Sequence, residues 1–208
     1  MNEEFLPKKR MACFTTIGGY RVIALSAMID GTLAILKMEE LKGPFRSWKS
    51  DFIEKMKTYK KEGLSILIEA EDFDYFSLHG DVFMLDDIDD IERRTLQSIA
   101  LDKYYALTQM GDSKGDTRGN LKLVKELQRH WITDSTVNVR FDDRGRRIYQ
   151  VEQDSFTSHQ RAILLSVLAA THFNEYNEAA MQEMLGHIGI EIPDKTPMQR
   201  ARSIFKGV

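Results

Sequence analysis

The residues best equipped for chemistry are acids collected at the end of one short apolar run. Leu64 to Glu69, LSILIE, has the length and composition of a buried strand and stops abruptly in Glu69, Glu71, Asp72 and Asp74. In helix-covered sheets, ligands bind in the crevice outside the carboxyl ends of the strands, so acids there are placed to hold a hard cation. A solvated acidic loop would have the same composition. A second group, Asp154, His159 and Gln160, surrounds the entrance of the apolar stretch HQRAILLSVLAATHF, with Thr157 or Ser158 as its cap. A third, Arg140, Arg144, Arg146 and Arg147, is the most basic place in the chain. Arginines there can grip phosphate oxygens, or simply solvate an exposed hairpin. The acidic cluster Asp86, Asp87, Asp89, Asp90 and Glu92 precedes an apolar-periodic stretch, and acids favour the positive end of a helix dipole.

The elements that must position these groups are legible in outline. Tyr20 to Lys37 holds two mostly apolar runs around Asp30-Gly31, which reads as a hairpin. Little polar alternation in either arm implies a sheet covered by helices on both faces. Residues 1–19, with Lys8-Lys9-Arg10, read as a basic lead-in. Pro44 opens an amphipathic helix with Phe45, Trp48, Phe52, Met56 and Tyr59 on its inner side. After the Leu64–Glu69 strand, a long helix is expected from the acidic cluster to about Met110. Another is expected from Asn120 to Trp131, then a hairpin around Asp142-Asp143-Arg144-Gly145, then the apolar helix. A domain over 1–173 and a C-terminal helix and tail over 174–208 is the expected division. The tail's Arg200, Arg202 and Lys206 suit a protein partner.

Composition narrows the function. The 208 residues carry a formal net charge of -3, so nucleic acid must be met by a local basic patch rather than by the field of the whole protein. The single cysteine, Cys13, rules out an internal disulfide and a multi-cysteine zinc site, and fits a reducing, cytoplasmic setting. No run is apolar enough for a membrane span, and the N-terminus does not read as a secretory signal. There is no G-x-S-x-G elbow and no G-x-G-x-x-G after a strand; Gly111 to Gly119 lacks the ending of a phosphate-binding P-loop.

The order strand, turn, strand, helix, strand, helices, hairpin, buried helix resembles the ribonuclease H-like superfamily of nucleases. It looks most like phage large-terminase nuclease domains and RuvC-type Holliday-junction resolvases. The resemblance spans roughly residues 18–173 and rests on VIALSAMIDGTLAIL, ILIEAED and SHQRAILLSVLAATHF. The family places an acid on or just after its first strand, an acid at the end of a central strand, and acids, or a His and an acid, at the opening of a buried helix. A first hairpin lying beside the Leu64–Glu69 strand is part of that expectation. Two divalent ions about 3.5–4 Å apart then activate water and stabilise the leaving oxygen. The resemblance implies Mg²⁺ or Mn²⁺ held by Asp30, Glu69, Glu71 and His159. Asp30, Glu69, His159 and Asp154 would be catalytic, and Arg140, Arg144, Arg146 and Arg147 would hold DNA. The sequence departs from the family with Ser26 at mid-strand and Gln160 in the acid pair. Three readings follow: a metal-dependent DNA nuclease or resolvase, a catalytically degenerate binding or assembly module of the same fold, and an unrelated α/β interaction protein.

Overall fold

The computed structural model describes residues 9–29, 31–109, 120–133, 137–151 and 156–172. Strands β1 (Lys9–Thr15), β2 (Val22–Ile29) and β3 (Thr32–Glu40) form an antiparallel unit. Helix α1 (Phe45–Lys61) leads to β4 (Ser65–Glu69), a short α2 (Phe73–Phe76) and β5 (Asp81–Phe83). Helix α3 (Leu96–Gln109), β6 (Leu121–Leu123) and a 3₁₀ turn (Lys125–His130) follow. A separate hairpin, β7 (Val137–Phe141) with β8 (Arg147–Val151), precedes α4 (Ser158–Ala170). The sheet order is β5-β4-β1-β2-β3-β6, with β4 parallel to β1, β5 parallel to β4 and β6 parallel to β3. This is a mixed α/β sheet: a three-stranded antiparallel unit extended by parallel strands and covered by helices.

Side-chain alternation assigns the two faces. Ala12, Phe14, Ile23, Ile66 and Ile68 point to α1 and pack on Trp48, Phe52, Met56 and Tyr59. The Phe14 and Phe52 rings lie 4.5 Å apart between centroids. Met11, Cys13, Val22, Ala24, Leu33, Ile35 and Leu67 point the other way, onto α3 and α4. Helix α4 is buried on nearly every side, as its continuous apolar sequence requires. The β7–β8 hairpin is fastened to α3 through Tyr149, whose ring stacks on Tyr105 at 5.2 Å and whose N–H donates to Ser98 Oγ.

Four expectations are corrected. Lys9–Thr15 is no lead-in; it is a central strand, buried from Met11 to Thr15. Its basic start is absorbed at the sheet's end, where Lys9 Nζ donates to the Ala169 carbonyl at 2.6 Å and Arg10 reaches Glu62. The Asp30-Gly31 hairpin forms, with Gly31 at φ 74°, yet β1 stands between it and β4. Helix α3 begins at Leu96 rather than in the acidic cluster. There the Asp89 carboxylate accepts the N–H groups of Ile91 and Glu92, and Arg93 takes φ 57°, so side chains satisfy the backbone in place of a helical turn. Residues 120–131 are not helical throughout: Leu121 and Leu123 alternate as a strand against Leu33 and Ile35, and a 3₁₀ turn follows. The expected C-terminal extension, 174–208, lies outside the described residues.

Candidate functional site

Strand pairing sets four positions in a row across one end of the sheet. Glu69 pairs with Thr15, Thr15 with Val22, and Val22 with Glu40. Three strand spacings separate the backbones of Glu69 and Glu40, about 14 Å. The first turn of α4 lies over this row. Its start is fixed by a capping box: Thr157 Oγ1 accepts the Gln160 N–H and Gln160 Oε1 accepts the Thr157 N–H. Gln160 is therefore committed to the cap, and its amide also donates to the Trp131 carbonyl. The β1–β2 loop closes on the same turn. Tyr20 N–H donates to Ser158 Oγ at 2.8 Å, and Gly18, at φ 86°, passes so close that a Cβ would lie 2.7 Å from the Ser158 nitrogen.

Glu69 is fully buried, and its two carboxylate oxygens are saturated by the protein. Thr15 Oγ1 donates to Oε2 at 2.7 Å, and the Leu85 N–H donates to Oε1 at 3.2 Å. Arg161 donates from Nε to both oxygens, at 3.0 and 3.1 Å, and from Nη2 to Oε1. Arg161 is itself 5% exposed, so the pair is a desolvated, forked carboxylate–guanidinium contact. A hard divalent ion does not fit this set. It needs several free anionic or carbonyl oxygens and would stand against the guanidinium charge. Among the described residues no three His, Cys, Asp or Glu side chains are grouped to hold a metal ion.

The other end of the turn takes a different acid. His159 Nε2 lies 3.3 Å from Glu40 Oε1, and the ring stacks on His130, with centroids 4.1 Å apart and planes within 2°. Burial pushes the His159 pKa down, Glu40 opposes this, and Arg129 adds to it. Burial also lowers His130, with help from His159 and Arg129.

Among the described residues, those expected to form a metal site are thus not brought together. Asp30 lies outside the described residues. Its flanking Ile29 and Gly31 are at the opposite sheet end from Glu69, because β2 runs antiparallel to β1 and Met28 pairs with Lys9. Glu71 is exposed beyond the strand end, and Asp154 lies outside the described residues. His159 faces Glu40 rather than Glu69. Of the hairpin arginines, Arg146 is engaged by Asp142 at 2.8 Å and Glu92 at 3.2 Å, while the Arg147 carbonyl accepts from Arg94 and its side chain is exposed. Arg140 and Arg144 are exposed. Sequence reasoning missed Thr15, Glu40, His130 and the part played by Arg161. A lone arginine inside an otherwise apolar helix was the available signal, since a buried cation must find a buried anion.

No protein-family model matches the chain, and no curated protein matches it in sequence. Among solved structures it is similar to the large terminase nuclease from thermophilic phage G20c, with 10% identity and a TM-score of 0.43 over 80% of this chain and 88% of that one. It is also similar to the large terminase of a second thermophilic bacteriophage, with 13% identity and a TM-score of 0.44 over 78% of this chain and 40% of that one. No helix among the described residues is long and apolar enough to cross a membrane.

Proposed function

We propose that this chain is a nucleic-acid-binding module on a ribonuclease H-like fold that does not cut its substrate. The observation that carries the reading is the separation of the two sheet-end acids and the neutralisation of one of them by an arginine. Glu69 is held by Arg161 and Glu40 stands against His159, about 14 Å apart along the strand row. Phosphodiester cleavage by paired ions needs carboxylates converging on ions about 4 Å apart. Acids apart from one another, each engaged by its own partner from α4, do not supply that.

Binding is assigned to the β7–β8 hairpin. Arg140 and Arg144 are exposed on it, and Phe141 is 68% exposed beside them. Arginine forks match phosphate oxygens, and an exposed aromatic ring offers a face to an unpaired base. Arg146 is occupied within the protein and serves to hold the hairpin.

The test is a DNA-binding titration over a range of salt, with wild type beside Arg140→Glu/Arg144→Glu. Affinity should fall steeply with salt, and the variant should lose it, with a salt slope lower by about one unit per lost phosphate contact. Salt-independent binding, or none, would move the reading to a protein partner.

A further inference from the structure

We infer that the Glu69 pocket is a cation site whose cation is built into the chain: the Arg161 guanidinium takes the place of a metal ion beside the strand-end carboxylate. This rests on the preceding reading only in that both require Glu69 to be closed to metal in the native protein.

The residues around the pocket form one balanced set. Thr15 at the end of β1 contributes a neutral hydroxyl, which donates to Glu69. An acid there would add a second buried negative charge that one arginine could not neutralise. Leu85 N–H supplies a further fixed dipole on the segment that leads into α3. Among the described residues, one guanidinium against one carboxylate leaves no net charge, whereas a divalent ion would leave an excess positive charge against that single acid. Arginine also suits the role because it stays charged at all relevant pH and its planar fork meets both carboxylate oxygens. Fixed from β4, Glu69 thereby ties three other segments together: the end of β1, the approach to α3 and the first turn of α4. A bridging metal would join strand ends and a helix entrance in the same way.

The test follows thermal unfolding of the full chain with and without millimolar MnCl₂, and separately with low-millimolar guanidinium chloride. Wild type should show no shift with Mn²⁺. Arg161→Ala should melt several degrees lower and be raised by guanidinium, which refills the emptied cation position, and not by Mn²⁺, which a single acid does not balance. Glu69→Gln/Arg161→Ala should respond to neither. Thr15→Asp/Arg161→Ala, with two acids in the pocket, should bind Mn²⁺ saturably by calorimetry and broaden its paramagnetic resonance signal. If Arg161→Ala does not fold alone, it should fold when refolded with guanidinium; failure of that rescue overturns the inference. So does a folded Arg161→Ala that ignores guanidinium, or a wild type stabilised by Mn²⁺ through Glu69. Metal-dependent cleavage by wild type that survives loss of Glu69 would instead sink the non-cutting reading and leave the built-in cation standing.

Discussion

Glu40 and Glu69 stand in one row across the sheet, at the ends of β3 and β4, and are met by different partners, an imidazole and a guanidinium, from the same turn of α4. Two residues along the helix, from His159 to Arg161, span the gap between them. A turn that could have delivered ligands to a shared ion instead delivers one partner to each acid. The sheet end is consolidated by these contacts, and four consequences can be measured.

Removing one half of the Glu69–Arg161 pair leaves the other buried and uncompensated. Glu69→Gln and Arg161→Met should each destabilise by about 3–5 kcal/mol. The double variant, with a neutral pair of similar volume, should cost clearly less than the sum. Urea unfolding of the four proteins gives the coupling directly. Additive costs would mean that the contact contributes nothing beyond its parts.

The stacked imidazoles set a pH limit. Both His130 and His159 have pKa values below the ordinary 6.5, first because they are buried. The unfolded chain therefore binds protons more readily than the folded one. Their stabilisation is complete above about pH 6.5 and is lost as pH falls through the lowered folded values. Arg129, His130 and Tyr20 face His159 along with Glu40. Asp89, lowered through the Glu92 N–H and its contact with His172 despite burial, loses its contribution only at more acid pH. Melting temperature should thus fall between neutrality and pH 5, and His159→Gln should flatten that fall.

Gly18 allows the β1–β2 loop to touch the start of α4. Gly18→Ala adds a Cβ at 2.7 Å from the Ser158 nitrogen and at a positive φ. A cost on the order of 1–3 kcal/mol is expected. Amide exchange should rise at Tyr20 and at the first turn of α4, but not in α1, which packs on the opposite face.

Cys13 lies wholly inside the sheet, and burial pushes its thiol up to about 12. A thiolate-directed reagent at pH 8 should leave it untouched in the folded protein and label it fully in denaturant. Fast labelling without denaturant would mean that β1 opens readily.

The amphipathic helix α1, the Asp30-Gly31 hairpin, the strand ending at Glu69 and the basic hairpin are all written in local pattern. Periodicity, Pro44 and paired turn residues specify them without tertiary help. Strand β1 is not so written, because its basic start looks like a solvated lead-in until Lys9 meets the Ala169 carbonyl. Strand β6 escapes for a related reason: Leu121, Val124 and Leu127 have helical spacing, and only pairing with β3 selects the extended form. The site was half legible. Glu69 stood out as an acid at a strand end, but its partner lies 92 residues away, and nothing local distinguishes an acid that awaits a metal from one that already has an arginine. His159 was visible as chemistry; that it turns to Glu40 depends on the register of β3, which no local pattern records.

The most direct test is cleavage of linear and branched DNA in Mn²⁺ by wild type beside Glu69→Ala and Glu69→Gln, under salt conditions where binding is established. The account predicts that wild type binds DNA and leaves it intact over hours. Metal-dependent cleavage by wild type that disappears in both Glu69 variants would contradict it, because Glu69 would then be a ligand and Arg161 would have to move aside.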